Sequence, residues 1–379
     1  MELENIIYEY VKETEDEDMY RFECDYTEGA HPRILDALVK TNREQTPGYG
    51  EDEFCETARK IICLACGKED MHVHFLMGGT QANTTVIASA LRPHQAVVCA
   101  EQGHIAVHES GAIEATGHKV ITLPSENGKI TAAQVRKCID GHWSDATHEH
   151  CPQPAMVYIS HPTETGLIYT KQELRDLRRV CDEKHIPLFL DGARLGYALG
   201  SEENDVFMAD LAKLCDVFYI GGTKVGAMFG EAVCICNEEL NRDFRYHIKQ
   251  HGGLLAKGRF LGIQFETLFK DGLYLELGKN AVREAMRIKD AFRSAGCDFL
   301  YDSPTNQQFP ILNGAVLEEL KKNYSFSIWQ ELPGDKTAVR FATSWATRPE
   351  TVDALLNDIK KTCRIYGDKT PSWSADMPE

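Results

Sequence analysis

The stretch Val217-Phe-Tyr-Ile-Gly-Gly-Thr-Lys224-Val-Gly-Ala-Met-Phe-Gly230 begins as an apolar run and ends in a turn rich in glycine. A continuous apolar run that stops at turn residues is typical of a strand buried on both faces of a sheet. The glycines around Lys224 indicate a tight backbone bend, with little reason for a solvated surface charge. A desolvated lysine loses its proton readily and can form an imine. An ordinary turn lysine is the alternative, and the spacing excludes a nucleotide-binding P-loop.

Similar apolar runs occur along the chain and alternate with helical patterns. This alternation predicts βαβ units around a mostly parallel sheet that is covered on both faces, which is an α/β fold. The segment Thr170 to Lys184 shows the helical pattern, because it begins with a threonine that can cap and places Leu174, Leu177 and Val180 along one face. The predicted strands are Ala96 to Ala100, Lys119 to Leu123, Ala155 to Ser160, Pro187 to Asp191, Val217 to Gly222 and Glu231 to Cys236.

The composition is that of an ordinary globular protein, with 379 residues, 43% of them hydrophobic and 26% charged. A net charge of -17 disfavours nucleic acid and anionic membranes as partners. The N-terminus has an acidic residue where a signal peptide needs a basic one, and no apolar run is long enough to span a bilayer, so a cytoplasmic protein is expected. The thirteen cysteines lie scattered in hydrophobic segments, which favours reduced core thiols. The group His148, His150 and Cys151 lies in a polar surface stretch, and no metal site is predicted.

Two further stretches place chemically active residues after a predicted strand. In an open α/β sheet ligands bind beyond the carboxyl ends of the strands, so these residues should converge. Asp191, in Leu190-Asp-Gly-Ala-Arg194, could pair with a pyridinium nitrogen and keep it protonated, although capping of the next helix is the alternative. His104 could stack over a cofactor ring or move protons, although a structural loop histidine is the alternative.

A phosphate-binding turn is the fourth element. In Phe75-Leu-Met-Gly-Gly-Thr-Gln-Ala-Asn83 two glycines lead into a helix that begins near Thr80. The free N–H groups and the positive dipole of a helix N-terminus bind phosphate, although two glycines before a helix also occur in simple turns.

The order of these elements along the chain is that of the fold-type I enzymes, which depend on pyridoxal 5'-phosphate (PLP). From about Phe22 to Asp358 the sequence resembles the low-specificity threonine aldolases of the β-eliminating lyase family. The matching stretches are Cys24-Asp25, Gly48-Tyr49-Gly50-Glu51-Asp52, Gly79-Thr80-Gln81-Ala82-Asn83, His104 with Glu109, Asp191-Gly-Ala-Arg194 and Lys224.

The resemblance implies a role for each matching position. Lys224 is expected to carry PLP as an imine, Asp191 to contact the pyridine nitrogen and His104 to stack on the ring. Gly79 and Thr80 are expected to bind the phosphate, and Thr223 belongs to the same cofactor-binding set. The expected substrate-binding residues are Arg194 and Arg340, which would grip the substrate carboxylate, together with Asp25, Tyr49 and Glu164.

After about residue 260 the pattern changes to long helices and then two strand-like pieces, which predicts a separate C-terminal domain, and the resemblance implies the assembly. We expect residues 1–50 to join the small domain and to make dimer contacts, residues 51–260 to form the large PLP-binding domain with a seven-stranded sheet, and residues 261–379 to form a small C-terminal α+β domain. Tyr49 is similar to a residue that reaches into the neighbouring subunit's site. We therefore expect a homodimer whose two subunits share their active sites, and two such dimers assembled as a tetramer.

The implied activity is aldol cleavage of a β-hydroxy-α-amino acid, L-threonine or L-allo-threonine, to glycine and acetaldehyde. One position departs from the family, since Glu164 lies in Pro162-Thr-Glu-Thr-Gly166 where many members have a histidine near the substrate hydroxyl. A carboxylate there could still accept a hydroxyl proton, so Glu164 is included among the expected catalytic residues. Two alternatives remain. One is β-elimination or glycyl transfer on another amino acid, and the other is a catalytically silent binding protein with the same fold.

Overall fold

The computed structural model describes residues 19–367. The parts of the predicted regions 1–50 and 261–379 that fall at positions 1–18 and 368–379 lie outside the described residues. The strands are β1 (Tyr20–Arg21), β2 (His72–Leu76), β3 (Gln95–Ala100), β4 (Lys119–Leu123), β5 (Gln153–Ser160), β6 (Leu188–Asp191), β7 (Val217–Gly221), β8 (Glu231–Ile235), β9 (Gln307–Gln308), β10 (Ile311–Asn313), β11 (Tyr324–Ser325), β12 (Ser327–Leu332) and β13 (Lys336–Ala342).

The helices connect these strands and cover the sheet. They are α1 (Pro32–Thr41), α2 (Glu53–Cys66), α3 (Gly79–Ala90), α4 (His104–Val107), α5 (Ala112–Ala115), α6 (Ala132–Ser144), α7 (Lys171–Lys184), α8 (Leu195–Gly200), α9 (Met208–Leu214), α10 (Glu238–Asn241), α11 (Phe244–Gln250), α12 (Arg259–Phe269), α13 (Leu273–Ser294), α14 (Gly314–Leu320) and α15 (Pro349–Tyr366).

The main sheet has seven strands in the order β2-β8-β7-β6-β5-β3-β4. Every neighbouring pair is parallel except the two that involve β8, which runs antiparallel to both β2 and β7. Two hydrophobic clusters cover the sheet, and the strands between them are buried on both faces. The predicted α/β fold with a mostly parallel seven-stranded sheet is therefore confirmed.

Helix α7 shows how the local sequence sets an element. The Thr170 side chain accepts from the Glu173 backbone N–H, and the Glu173 side chain accepts from the Thr170 backbone, which forms a complete capping box. The apolar residues Leu174, Leu177 and Val180 are buried against the sheet, as their spacing predicts.

A smaller sheet follows the large domain, with the order β10-β13-β12 and with β9 paired to β13. Its apolar core contains residues far apart in sequence, among them Phe22, Phe341 and Ile359. Helix α13 joins the two units, since Val282 belongs to the core of the large sheet and Ile288 to that of the small one. The predicted division near residue 260 stays a prediction. Within residues 19–367, no helix combines the length and apolar character that crossing a membrane requires.

Candidate active site

The carboxyl edge of the large sheet brings together the residues that follow its strands. Ser160 and Asp191 are paired at the ends of β5 and β6. Glu231, the first residue of the antiparallel β8, is paired with Gly221 on one side and with Leu76 on the other. The Lys224 turn after β7, the α3 N-terminus after β2 and Asp191 therefore all lie along one edge of the sheet, where ligands of such sheets bind.

The turn that carries Lys224 is fixed by backbone hydrogen bonds. The N–H groups of Gly222 and Thr223 donate to the carbonyl oxygen of Gly230, at 2.9 and 3.2 Å. The hydroxyl of Tyr197 donates to the Lys224 carbonyl. Gly226 has a φ of +94°, and a Cβ there would lie 2.6 Å from Leu277, so this position requires glycine. The backbone thus holds Lys224 in one place.

The surroundings of Lys224 make its amine easier to deprotonate than that of an ordinary lysine. Burial lowers the pKa of Lys224, and the positive charge of Arg194 lowers it further, against the charges of Asp25, Glu231 and Asp191. The Lys224 Nζ lies 5.7 Å from the centre of the Tyr26 ring. An unprotonated amine is the form that attacks a carbonyl carbon.

Asp191 is almost fully buried and is surrounded by hydrogen-bond donors. Its Oδ2 accepts from the Tyr158 hydroxyl at 2.5 Å and from Asn83 Nδ2 at 3.2 Å, and its Oδ1 accepts from the Ala193 N–H at 2.9 Å. These three donors hold the carboxylate in one orientation. Asp191 also lies close enough to His104 and Lys224 for its charge to act on both.

His104 begins helix α4 and is oriented by a carboxylate. Its Nδ1 lies 2.7 Å from Glu109 Oε1, which also accepts from Asn83 Nδ2 at 2.7 Å. Since the carboxylate accepts from Nδ1, the other ring nitrogen is left for a ligand or a proton. Burial lowers the pKa of His104, but the hydrogen bond with Glu109 and the charge of Asp191 raise it more, so the net pKa lies above its ordinary value.

Glu164 is buried beside His104. Its Oε1 accepts from the His104 backbone N–H at 2.9 Å and from the Ser160 hydroxyl at 2.7 Å. Its Oε2 is buried and has no hydrogen-bond partner within residues 19–367. Burial raises the pKa of Glu164, and the charge of Asp191 adds to this rise against the Ser160 hydrogen bond. Glu164 therefore anchors the His104 backbone and keeps one oxygen unpaired.

Arg194 is held by a buried carboxylate. Its Nε and one terminal nitrogen donate to the two oxygens of Asp25, at 2.7 and 3.0 Å, and Asn306 Nδ2 donates to Asp25 at 3.0 Å. Asp25 is fully buried and both of its oxygens accept hydrogen bonds, and its predicted contact with substrate stays a prediction. In this arrangement Asp25 positions Arg194, whose other terminal nitrogen remains for a ligand.

Arg340, on β13, is fixed by the N-terminal segment and the small domain. It donates to the Glu23 carbonyl at 2.8 Å and to Gln307 Oε1 at 3.2 Å, and it lies over the Trp329 ring. Burial lowers the pKa of Arg340, and the charge of Arg194 lowers it further. Two partly buried cations that repel each other make a favourable place for an anion.

The N-terminus of α3 has the features of an anion site. Its N-cap, Gly78, makes no side-chain capping bond, so the first N–H groups of the helix have no side-chain acceptor there. A Cβ on Gly79 would lie 3.0 Å from the Tyr219 hydroxyl, and one on Gly78 would meet nothing within 4 Å. Thr80 is exposed in the first turn of this helix.

Two other predicted site residues are Thr223, which is hydrogen-bonded within the Lys224 turn, and Tyr49, which lies on the surface. The hydroxyl of Thr223 donates to Glu231 Oε1 at 2.9 Å and accepts from the Gly230 N–H, so its proton is already used within the turn. Tyr49 has a φ of +61° and lies on the surface, 46% exposed, with its ring over Lys249. The expected contact of Tyr49 with a neighbouring subunit's site stays a prediction.

The sequence analysis gave no role to several residues at this edge. Tyr158 reads as a core aromatic, yet its hydroxyl binds Asp191, and Ser160, two residues later on the same face of β5, binds Glu164. Asn306 and Gln307 belong to a polar stretch typical of a surface loop, but they are fully buried. Ser160 could have been found from its position at a strand end. Asn306 and Gln307 carry no such signal, because their partners are distant in sequence.

Comparisons with known proteins agree with this geometry. Residues 24–313 match the model of the beta-eliminating lyase family. A low specificity L-threonine aldolase of Pseudomonas sp. is 31% identical over 352 residues, which cover 90% of this chain and 97% of that protein. The structure of Leishmania major threonine aldolase is 43% identical with a TM-score of 0.89, and the match covers 91% of this chain and 99% of that one.

A more distant structure shows the fold alone. Thermus thermophilus aspartate aminotransferase superposes with a TM-score of 0.68 at 15% identity, over 94% of this chain and 95% of that one. The large domain therefore has the fold of the fold-type I, PLP-dependent transferases. The extent of the family match and the identity to the Pseudomonas protein show that the chain belongs to the beta-eliminating lyase family.

Proposed function

We propose that this protein is a PLP-dependent aldehyde-lyase that cleaves L-threonine or L-allo-threonine to glycine and acetaldehyde. The observation that carries the proposal is the convergence of Lys224, Asp191 and His104 on one edge of the sheet. The names of the similar proteins from Pseudomonas and Leishmania support the choice of threonine as substrate.

The described residues fit PLP. Its aldehyde needs an amine with a lowered pKa, which Lys224 supplies, and its pyridine nitrogen needs a carboxylate, which Asp191 supplies. Its phosphate needs uncapped N–H groups, which the start of α3 supplies. When bound, PLP would supply a protonated ring that accepts the electron pair released as the Cα–Cβ bond breaks.

The two arginines would bind and orient the substrate. Asp25 fixes one edge of the Arg194 guanidinium, and the Glu23 carbonyl fixes Arg340. A substrate carboxylate between them would therefore accept hydrogen bonds from two guanidinium groups that are already oriented. Holding the carboxylate in this way would restrict rotation of the substrate and so select which bond at Cα is broken.

His104 and Glu164 would hold the proton of the substrate hydroxyl. Glu109 fixes His104 through Nδ1, which leaves Nε2 as an acceptor when the ring is neutral. The raised pKa of Glu164 and its unpaired Oε2 make this carboxyl a second group that can accept a proton. We propose Glu164 for the role that many relatives give to a histidine.

We further propose a homodimer with shared sites, assembled as a tetramer in the cytoplasm. Exposed apolar side chains support an interface, among them Val39 at 78% and Tyr49 at 46%. Mixing Lys224→Ala with Tyr49→Ala chains tests the sharing. Restored activity in the mixture, from hybrids with one unaltered site, supports it, and no restoration contradicts it. Light scattering gives the assembly size, and cell fractionation gives the location.

Spectroscopy combined with product analysis tests the proposed function. The purified chain with PLP should be yellow, borohydride should fix the cofactor on the Lys224 peptide, and L-threonine or L-allo-threonine should release acetaldehyde and glycine. Lys224→Ala should lose the fixed cofactor and the activity. A yellow protein that releases pyruvate from serine or cysteine instead would favour the β-elimination alternative, and a chain that fixes no PLP would overturn the proposal.

A further inference from the structure

The turn that carries Glu164 follows β5 of the large sheet and spans residues 161–167. Its Gly166 N–H donates to the Thr163 carbonyl at 2.9 Å, and the Thr163 N–H donates to the Leu167 carbonyl at 2.7 Å. These bonds close the turn on itself. Where the turn lies relative to the rest of the site therefore depends on contacts from other segments.

Two buried hydroxyl groups from the segment before β9 hold this turn at one carbonyl. The Thr305 hydroxyl donates to the Gly166 carbonyl oxygen at 2.8 Å, and the Ser303 hydroxyl donates to the same oxygen at 3.1 Å. The Thr305 N–H donates to the Ser303 hydroxyl oxygen at 3.2 Å, which orients that hydroxyl toward the carbonyl. Ser303 and Thr305 have no exposed surface, so no water competes for these bonds. Both lone pairs of the carbonyl oxygen are occupied in this way.

Gly166 permits the contact because it has no side chain. Its φ is +79°, and a Cβ there would lie 2.2 Å from the Ser303 hydroxyl oxygen and 3.1 Å from that of Thr305. Only glycine allows the two segments to approach this closely. The position of the turn is thus set by direct hydrogen bonds and not by loose packing.

The segment with the two hydroxyls also reaches other parts of the turn and of the site. Gln307 Nε2 donates to the Glu164 carbonyl at 3.4 Å, and Gln307 Oε1 accepts from Arg340 at 3.2 Å. On the other side of the turn the Thr165 hydroxyl donates to the Asn127 carbonyl at 2.6 Å. The segment 303–307 therefore supports both the Glu164 turn and a proposed substrate-binding arginine.

The position of the turn decides what the Glu164 carboxyl contacts. Its Oε1 accepts from the His104 N–H at 2.9 Å and from the Ser160 hydroxyl at 2.7 Å, and its Oε2 is buried without a partner within residues 19–367. A hydrogen bond weakens steeply when its donor and acceptor move apart. A shift of the turn would therefore release the contact between Glu164 and His104.

We propose that Ser303 and Thr305 are positioning residues for Glu164. They fix its turn through the Gly166 carbonyl and so set where the Glu164 carboxyl lies relative to His104. Neither hydroxyl needs to touch the substrate or the cofactor for this role.

Hydrogen–deuterium exchange of the full-length chain, read by mass spectrometry, tests the positioning without any measurement of activity. Thr305→Val removes one donor at nearly constant volume, and combining it with Ser303→Ala removes both. Exchange at the Glu164 turn and at the His104 N–H should rise by about 10-fold in the double variant, because a buried carbonyl without donors weakens the local structure. Thr305→Ser keeps the hydroxyl and should retain most of the protection.

Thr343→Val is the matched control. Thr343 is as buried as Thr305, at 1% and 0% exposed, but its hydroxyl donates to the Ala281 carbonyl of α13 at 2.7 Å. This change should leave exchange at the Glu164 turn and at His104 unaltered. Unchanged exchange in the double variant would overturn the proposal, and so would an equal rise in Thr343→Val. If the double variant does not fold, Thr305→Val alone decides, with an expected rise of about 3-fold.

The consequence for turnover rests on the proposed function and needs the PLP-loaded enzyme. Thr305→Val should lower kcat by about 10-fold and change KM by less than about 2-fold, because the turn carries a proton-holding group and not the carboxylate-binding arginines. In a Glu164→Gln background the same change should have little further effect, since both changes act through one group. An equal loss in both backgrounds would contradict a role through Glu164. Failure of the proposed function would appear separately, as an unaltered chain that fixes no PLP, while the exchange result would still decide the positioning.

Discussion

The site contains two sets of buried carboxylates that differ in how completely they are paired. Asp25 uses both oxygens, in a two-point contact with Arg194 and a hydrogen bond from Asn306. Glu109, Glu164 and Glu231 each have one oxygen that is buried without a partner within residues 19–367. An unpaired buried polar atom costs about 1–3 kcal/mol, so the glutamates are retained at the expense of stability. The difference indicates that the pairing of Asp25 contributes to stability, whereas the three glutamates are retained for another role.

Asp25→Ala should have the largest effect on stability. It leaves the buried Arg194 without its counter-charge, which costs about 3–5 kcal/mol for a broken buried pair. Urea unfolding followed by circular dichroism measures the loss. Asp25→Asn keeps a polar group of the same size and should lose less. If Asp25→Ala unfolded like the unaltered protein, Asp25 would belong with the unpaired glutamates, and the comparison would fail.

Glu109→Gln should affect catalysis more than stability. Without the Glu109 charge the His104 ring is less well oriented, and kcat should fall by about 10²-fold. The free energy of unfolding should change by less than about 1 kcal/mol, because one Glu109 oxygen is already unpaired. A large loss of stability with unchanged kcat would assign Glu109 to the structure instead.

The pH dependence of Glu109→Gln shows whether Glu109 acts by raising the pKa of His104. The folded-state pKa of His104 lies above its ordinary value of 6.5, so the pair contributes its full stability below that pH and loses it as the pH rises through the folded pKa. Removing Glu109 lowers the pKa of His104. The acid limb of the kcat profile should therefore move to lower pH, and the stability difference between the two proteins should be larger at pH 5.5 than at pH 9.

The sequence predicted the residues that follow strands, but not the residues that hold them. Asp191 and Lys224 could be found because each ends an apolar run, and strand ends of a parallel sheet share one edge. Glu231 begins a predicted strand and carries no such signal, and its burial follows from the pairing of β8 with β7. Asn306 and Gln307 are buried because Asp25 and Arg340 need polar partners there, and no local pattern encodes a contact across some 280 residues.

Arg340→Lys tests whether the second arginine of the site binds the substrate carboxylate. A lysine keeps the positive charge but loses the planar fork, so KM for threonine should rise by about 10-fold with little change in kcat. Steady-state kinetics at saturating PLP measures both constants. Arg348→Lys, at the exposed N-cap of α15, serves as the control. A fall in kcat at unchanged KM would place Arg340 in the chemical step and not in carboxylate binding.

Thr170→Ala should have the smallest effect and gives the scale for a fully paired surface group. It removes the capping box of α7, in which Thr170 and Glu173 satisfy each other's backbone N–H groups, and the loss should be about 1 kcal/mol. Thr170→Ser keeps the hydroxyl and should restore most of it. Neither change should alter kcat or the pH profile, since α7 covers the sheet and contributes no residue to the site. If Thr170→Ala destabilised the protein as much as Asp25→Ala, the pairing of the buried Asp25 would contribute no more to stability than a surface helix cap. Stability measurements could then not distinguish the paired Asp25 from the unpaired glutamates.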